Sequence, residues 1–404
     1  MTYLPPQEPT PTRPPELAPP ETPTYFPEAS DPRPTPPTPP LAVRGPRPRR
    51  IGPLILAGLV GAAVALGGVW VGRQNQGVEV VSPATSRPVA AVSNPPQSLA
   101  PTVASAVASK VIPSVVQVKI VQGEVLIGSG SGVVLNADQG HIVTNHHVIN
   151  RGGQVKVELA DGRVYDASVL GSDSRTDLAL LQISARDLIP IEQGASVALE
   201  IGSLTVAVGN PLGLLGGPTV TVGVLSARDR FVGGSTEDDT LFGMLQTDAP
   251  IISGSSGGAL VDASGRLIGI TSAVGLSDIG PEGLGFAIPI EVMQRVTREL
   301  AETGRASAPF LGIEGRTAFQ AATDGGEIPI GVEVNQLIGE SSAGAGGVLQ
   351  GDVIVSIDGS QVRTMERLVG MIRRYSAGNQ VSLQIERNGS QLDISVVLGE
   401  RTQG

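Results

Sequence analysis

Serine, histidine and aspartate occur in an order that suits nucleophilic catalysis by a hydroxyl group. The run Gly254-Ser255-Ser256-Gly257-Gly258 lies in the second half of the chain, and histidine occurs only at positions 141, 146 and 147. Asp177 stands between His147 and the serine run. A neutral serine hydroxyl is a poor nucleophile and needs an adjacent base, commonly a histidine oriented by an acid. Since the chain has no cysteine, a thiol nucleophile, a disulfide and a zinc-thiolate site are excluded.

The serine run fits two known arrangements. As G-x-S-x-G it would be the nucleophile elbow of an α/β-hydrolase, in which the histidine follows the serine and a helix follows the turn. No histidine follows His147, and Ala259-Leu260-Val261 continues as a strand pattern. The sequence therefore excludes the elbow and favours G-x-S-G-G, in which the chain order is His, Asp, Ser.

Short motifs surround the three residues and continue beyond them. His147 and Asp177 are 30 residues apart, and Ser256 follows 79 residues later. The motifs are Thr144-Asn145-His146-His147-Val148, Thr176-Asp177-Leu178-Ala179, the serine run, Gly128–Val133, Val208–Gly213 and Gly285–Pro289. With these motifs the chain resembles the HtrA family of serine proteases over about residues 99–404. The resemblance implies an all-β, trypsin-like double β-barrel with its site in the cleft between the barrels.

The resemblance assigns a role to each member of the set. His147 accepts the proton of Ser256 and later returns it to the leaving amine, while Asp177 holds the imidazole tautomer and stabilises the imidazolium. Ser256 forms the acyl-enzyme. The N–H groups of Gly254 and Ser256 form the oxyanion hole. We expect neither a metal ion nor a cofactor.

Neighbouring residues offer alternatives to this assignment. His146 differs from His147 by one position, and the resemblance gives the catalytic role to His147, leaving His146 and His141 as structural neighbours. Asp161, Asp166 and Asp173 suit turns better than catalysis. The resemblance places Ile251 in the substrate pocket, which favours small or medium aliphatic side chains.

Short β-branched runs between glycine turns predict the all-β class. They are Val115–Val121, Gly132–Leu135, Ile142–Val143, Val155–Leu159, Leu178–Ile183 and Leu204–Val208. A helix is predicted over Ile290–Thr303. The glycines of Gly128–Gly132 could be mistaken for a phosphate loop, but since a strand pattern follows them, a turn is expected.

The last block, residues 307–404, resembles a PDZ domain of mixed α+β structure. Phe310-Leu311-Gly312-Ile313 matches its Φ-G-Φ loop, so Leu311, Gly312 and Ile313 are expected to bind a chain-end carboxylate while the adjoining strand pairs with the peptide. A helix is expected near Thr364–Tyr375.

The first 98 residues differ in composition from the rest. Eighteen of the 33 prolines lie in residues 1–50, which predicts a disordered tail. Residues 51–72 carry no charge and are long enough for a transmembrane signal anchor. Residues 73–98 are predicted to form a flexible linker. A cleaved signal peptide is the alternative, since Ala63-Val64-Ala65 resembles a cleavage site, but fifty residues precede the apolar run.

The N-terminal residues also differ from the rest of the chain in charge. Residues 1–73 carry seven Arg against five acidic residues, whereas the whole chain has a net charge of −10. The arginines before the apolar run place the N-terminus in the cytoplasm and the later domains outside the membrane. An acidic main body argues against a nucleic-acid partner.

Together these features predict a membrane-anchored serine endopeptidase with a protease domain at 99–306 and a PDZ domain at 307–404. Its partners would be unfolded or misfolded exported polypeptides and peptide C-termini, and the resemblance implies a homotrimer. A stress-signalling protease with one membrane-protein target, or a chaperone or scaffold with secondary proteolysis, is the alternative.

Overall fold

The computed structural model describes residues 102–211, 217–233, 240–272 and 284–401. They lie in one compact unit that spans Asn94–Gly404. The predicted tail, signal anchor and linker fall outside the described residues. Within the described ranges, no helix is long and apolar enough to cross a membrane.

A short helix, α1 (Val103–Val111), leads into the folded chain. The Thr102 hydroxyl caps it by accepting a hydrogen bond from the Ser105 N–H at 3.3 Å. The helix buries Val107 and Val111, and a single 3₁₀ turn then turns the chain into the first strand.

Six antiparallel strands close the first barrel in the order β1-β2-β3-β6-β5-β4. A four-residue helix, α2 (His146–Ile149), follows the third strand. The strands are β1 (Val115–Gln122), β2 (Val125–Asn136), β3 (His141–Thr144), β4 (Gln154–Glu158), β5 (Val164–Asp173) and β6 (Leu178–Gln182).

Six further strands close a second barrel in the order β10-β11-β12-β9-β8-β7. The two closed barrels confirm the predicted double-barrel class. The strands are β7 (Leu204–Gly209), β8 (Thr219–Gly233), β9 (Thr240–Thr247), β10 (Ala259–Asp262), β11 (Leu267–Ser272) and β12 (Gly285–Pro289).

Alternate residues along these strands serve two different cores. In β3, Ile142 belongs to the interior core of the first barrel, and Val143 belongs to a core that the two barrels share. In β6, Leu181 belongs to the interior core and Leu180 to the shared core. Successive strand side chains point to opposite faces, so both faces of these strands are buried. The absence of polar alternation in this part of the sequence follows from that double burial.

The turn predicted at Gly128–Gly132 is wrong, because these residues lie inside β2. Alternate glycines here serve packing. A Cβ atom on Gly130 would come within 2.7 Å of Val148, and one on Gly132 within 2.9 Å of Ile142. The barrel interior therefore requires small residues at positions that would otherwise indicate a turn.

Helix α3 (Ile290–Thr303) has the predicted bounds and ends at Gly304, which adopts the left-handed conformation with φ +75°. Its amphipathic face packs on both barrels. Arg295 on this helix is buried, and its guanidinium donates to the carbonyls of Arg373 and Ser307 at 3.0 and 3.2 Å. Burial lowers the pKa of Arg295 from its ordinary value, and the carboxylate of Glu299 opposes that shift.

The C-terminal residues form a sheet with a core of their own, in the order β14-β15-β16-β18-β19. The helix predicted near Thr364–Tyr375 is shorter than expected at both ends. Thr364 is its N-terminal cap, and Tyr375 lies beyond its C-terminal end. The elements are β13 (Pro309–Phe310), β14 (Ile313–Ala321), β15 (Glu327–Leu337), α4 (Ser342–Ala345), β16 (Val353–Ile357), β17 (Ser360–Gln361), α5 (Met365–Ile372), β18 (Gln380–Arg387), β19 (Ser390–Val397) and β20 (Gly399–Glu400).

Candidate active site

His147 lies in the first turn of α2, directly after β3. The side chain is 32% exposed, so it borders solvent, and its Nδ1 atom lies 2.8 Å from Asp177 Oδ2 and 2.9 Å from Oδ1. A carboxylate only accepts hydrogen bonds, so Nδ1 carries the proton in neutral His147. The Nε2 atom is then left as the proton acceptor.

Asp177 is buried and lies between β5 and β6 in the left-handed region, with φ +55°. An aspartate tolerates this conformation better than most residues. Its backbone carbonyl accepts two hydrogen bonds, from Asn145 Nδ2 at 2.8 Å and from the His146 N–H at 3.1 Å. These two donors hold the strained backbone in place.

The Asp177 carboxylate has partners on both sides of the boundary between the barrels. The His147 backbone N–H donates to Oδ1 at 3.0 Å. From the second barrel, the buried hydroxyl of Ser272 at the end of β11 donates to Oδ2 at 3.1 Å. The acid is thus fixed in orientation before any substrate binds.

Ser256 belongs to the second barrel and precedes β10. It is 4% exposed, and its carbonyl accepts a 2.7 Å hydrogen bond from the N–H of Ser131 on β2. Gly130, the neighbour of Ser131, has Val148 on one side and the Ser256 carbonyl on the other: a Cβ there would lie 2.7 Å from Val148 and 3.2 Å from that oxygen. The structure therefore brings the Ser256 loop against the start of α2, which carries His147.

Gly254 and Gly257 give the serine loop its shape. Their φ angles are +89° and +87°, in the region that favours glycine. The Gly254 carbonyl accepts a hydrogen bond from Ser131 Oγ at 2.8 Å. A Cβ on Gly257 would lie 2.1 Å from the Ser131 carbonyl oxygen, so the loop lies against β2 without room for a side chain.

Ile251 is buried at 8% exposure and belongs to the interior core of the second barrel. Its side chain lies against Gly285 at the start of β12, where a Cβ would come within 2.7 Å of it. The loop before Ser256 and β12 therefore meet at this residue.

The other two histidines have separate surroundings. His146 Nδ1 pairs with Ser172 Oγ at 3.0 Å. His141 lies on β3, where burial lowers its pKa. Among the described histidines, His147 alone contacts Asp177 through its ring.

In the C-terminal part, Leu311 and Ile313 are buried and Gly312 has φ +74°. A Cβ on Gly312 would lie 2.8 Å from Ser341 Cα, so only glycine fits the loop. A cavity of about 510 Å³ opens beside it between β14 and α5. Its lining includes the loop and apolar residues of α5. Asp173, Arg175 and Thr176 of the first barrel and Arg295 of helix α3 complete it.

Three residues that contact this site were not predicted from the sequence as functional. Asn145 stands within the histidine motif, so a signal for it was present. Ser272 and Ser131 are 95 and 125 residues from the groups that they contact, Asp177 and Ser256. No local pattern connects such distant positions.

Comparisons with known proteins agree with this geometry. Residues 130–270 match the model of the trypsin-like peptidase domain and residues 309–398 that of the PDZ domain. The chain is 38% identical over 285 residues to the periplasmic serine endoprotease DegP of Escherichia coli K12, covering 70% of this chain and 59% of DegP. It is 37% identical over 283 residues to the serine protease Do-like HtrA of Lactobacillus helveticus, covering 67% and 68%.

Solved structures show the same architecture. The HtrA-type protease AlgW with tripeptide is 34% identical, with a TM-score of 0.56, covering 74% of this chain and 97% of AlgW. The serine endoprotease from Yersinia pestis is 31% identical, with a TM-score of 0.51, covering 75% and 100%. The fold and the family matches define a trypsin-like peptidase domain joined to a PDZ domain. The chain belongs to the HtrA family, although it spans only 59% of the length of DegP.

The close approach of Gly257 to β2 gives a testable consequence. We expect Gly257→Ala to destabilise the fold by about 2–5 kcal/mol, since it adds left-handed strain to a backbone clash. Gly202→Ala is the matched control: its φ is +92°, but nothing lies within 4 Å of its Cβ position, so it should lose about 1–2 kcal/mol. Urea unfolding measures both, and equal losses would contradict the packing argument.

Proposed function

We propose that the chain is a membrane-anchored serine endopeptidase that hydrolyses peptide bonds of misfolded or damaged exported proteins. The observation that carries this proposal is the contact of His147 Nδ1 with the Asp177 carboxylate at 2.8 Å. It leaves Nε2 of the partly exposed His147 as a base, and the Ser256 loop lies against the helix that carries this histidine. Membership of the HtrA family supports the same activity.

In the proposed reaction, Ser256 Oγ attacks the carbonyl carbon of the scissile bond while its proton passes to His147 Nε2. Asp177, held by Ser272 and by the His147 N–H, stabilises the imidazolium. The negative charge on the substrate oxygen is stabilised by the N–H groups of Gly254 and Ser256.

Collapse of this intermediate breaks the C–N bond. The leaving amine takes the proton from His147, and the substrate acyl group remains as an ester on Ser256. Water then attacks the ester with His147 again as base, which releases the acid and restores the Ser256 hydroxyl. We propose that Ile251 borders the substrate pocket and that the enzyme prefers small or medium aliphatic side chains beside the scissile bond.

Two adjacent serines allow a sharp test of the nucleophile. With unfolded casein as substrate, we expect Ser256→Ala to lower the cleavage rate by up to about a millionfold, because no acyl-enzyme forms. Ser255→Ala, one position away, should retain cleavage. The full-length chain in detergent is used for both variants.

Labelling by a fluorophosphonate probe tests the same two variants without a protein substrate. It should label the wild type and Ser255→Ala, and leave Ser256→Ala unlabelled. Labelling that disappears in Ser255→Ala instead would contradict the assignment of Ser256, and an unlabelled, inactive wild type would contradict the proposed activity.

We propose further that the cavity beside Leu311, Gly312 and Ile313 receives the C-terminal end of a polypeptide. Its lining is largely apolar, with Met365, Leu368 and Ile372 on α5 facing the loop. An extended peptide would add a strand beside β14, which is an edge of the C-terminal sheet. Its last side chain would enter the apolar cavity.

The carboxylate of such a ligand is the feature to vary. We expect a decapeptide ending in valine to bind at least about tenfold more tightly than the same peptide with a C-terminal amide, because only the free acid carries a charge for the loop N–H groups. Fluorescence anisotropy measures both. Equal affinities would show that the cavity does not recognise a chain end.

The membrane anchor proposed at residues 51–72 and the domain limits 99–306 and 307–404 rest on the sequence. The relatives DegP and DegQ are named as periplasmic, which supports an extracytoplasmic place for the protease and PDZ domains. The homotrimer that the family resemblance implies is part of the same proposal.

Orientation follows from the arginines before the apolar segment. In right-side-out membrane vesicles, we expect external protease to digest a C-terminal epitope and to spare an N-terminal one. Exchange of Arg44, Arg47, Arg49 and Arg50 for Gln should reduce this asymmetry, while exchange of arginines in the protease domain should not. Protection of the C-terminal epitope in the wild type would contradict the orientation.

A further inference from the structure

A buried hydroxyl that the proposed reaction does not use lies directly beneath the serine loop. It belongs to Ser131 on β2, which has no exposed surface. Its Oγ donates to the Gly254 carbonyl at 2.8 Å and accepts from the Asn210 N–H, also at 2.8 Å. A hydroxyl has one proton, and the Asn210 donor occupies an acceptor position, so the proton of Ser131 is directed at Gly254.

The backbone of Ser131 acts on the same loop. Its N–H donates to the Ser256 carbonyl at 2.7 Å, and its own carbonyl accepts from Thr144 Oγ1 at 2.7 Å. Ser131 therefore holds the carbonyls of Gly254 and Ser256, the two residues whose N–H groups stabilise the oxyanion in the proposed reaction. The carbonyl of the intervening Ser255 accepts instead from Thr271 Oγ1 at 2.6 Å.

The backbone of Gly254 depends more than that of other residues on a hydrogen bond from another segment, such as the bond from Ser131. A glycine rotates about its backbone with little steric restraint, so its φ of +89° is not enforced by a side chain. The bonds from Ser131 to the Gly254 and Ser256 carbonyls fix two peptide planes of the loop, and this limits the φ and ψ values that the residues between and beside these planes can adopt. Oxyanion stabilisation depends on donors that are already aligned when charge develops.

We propose that Ser131 is a positioning residue for the oxyanion hole: its hydroxyl fixes the Gly254 carbonyl so that the N–H groups of Gly254 and Ser256 converge on the substrate oxygen. This inference rests on the proposed serine protease activity. Ser131 lies on the first barrel, whereas the N–H groups of Gly254 and Ser256 that it positions belong to the second.

The test is Ser131→Ala in the full-length chain, assayed with a fluorogenic peptide that has valine before the scissile bond. We expect kcat to fall about 10- to 100-fold with KM changed less than twofold, because the N–H groups that the hydroxyl positions act mainly on the charge that develops in the transition state. A tripeptide boronic acid ending in valine, which forms a tetrahedral adduct with a negative oxygen, should lose affinity by the same factor as kcat/KM.

Thr205→Val is the matched control. It also removes a fully buried hydroxyl, which contacts Thr247 Oγ1 at 2.8 Å in the second barrel, but it leaves the Gly254 carbonyl untouched. Its kcat and its boronic acid affinity should stay within twofold of wild type. If Ser131→Ala does not fold, Ser131→Cys keeps nearly the same volume with a weaker donor and should show a smaller loss of the same kind.

Three results would overturn the inference: kcat of Ser131→Ala within twofold of wild type, a rise in KM at constant kcat, or an equal fall of kcat in Thr205→Val. These results are distinct from failure of the proposed function. Wild-type cleavage that requires Ser256 is established first, so an unaffected Ser131→Ala removes the role of Ser131 and leaves the protease activity standing.

Discussion

The hydrogen bond from the Ser131 N–H to the Ser256 carbonyl joins the two halves of the candidate active site. Within the described residues the barrels share no strand, and the histidine and aspartate belong to the first barrel while the serine belongs to the second. A shared apolar core holds the barrels together, but apolar contacts have little directionality. Hydrogen bonds across the boundary supply the direction that catalysis requires.

In another hydrogen bond across the boundary, the donor belongs to the second barrel: the Ser272 hydroxyl donates to the Asp177 carboxylate of the first barrel. The two bonds differ in what they hold: the first positions a backbone, the second an acid. A shift of one barrel against the other would lengthen both. Alignment of the site is therefore coupled to the packing of the whole double barrel, and the large shared core is a condition for catalysis as well as for stability.

Three residues of the candidate site have left-handed backbone conformations, and for the one that is not a glycine this conformation is strained. Asp177, Gly254 and Gly257 all have positive φ values. For Asp177 this conformation costs about 1–2 kcal/mol, which hydrogen bonds from Asn145 and His146 to its carbonyl offset. Strained residues of this kind persist only where their surroundings over-determine them.

Local sequence patterns were sufficient for some of these features. The motif around His147 and the order His, Asp, Ser indicated the barrel class, and the helical period of Ile290–Thr303 predicted that helix with the bounds that the structure has. The glycines of Gly128–Gly132 led to the wrong prediction of a turn. In the sequence alone, a glycine that close packing requires looks the same as a glycine that a turn requires.

Long-range contacts were beyond such patterns. Ser131 lies within the Gly128–Val133 motif, but neither that motif nor the segment around Ser272 indicates which residue its serine contacts, and both partners lie about a hundred residues away in the chain. The double burial of β3 and β6 removed the alternation that would have identified one face as a core. These features depend on which strands meet, and that is decided by closure of the barrels.

The buried Arg295 on α3 has a wider consequence. Its hydrogen bonds to the carbonyls of Ser307 and Arg373, with those from the Arg373 side chain to the carbonyls of Arg175 and Thr240, make one wall of the PDZ cavity out of protease residues. A ligand that touches both walls binds the docked arrangement of the two domains more tightly than a separated one. By thermodynamic reciprocity, it must strengthen the docking by the same factor. The affinity of the cavity for such a ligand and the stability of the docked arrangement are thus coupled.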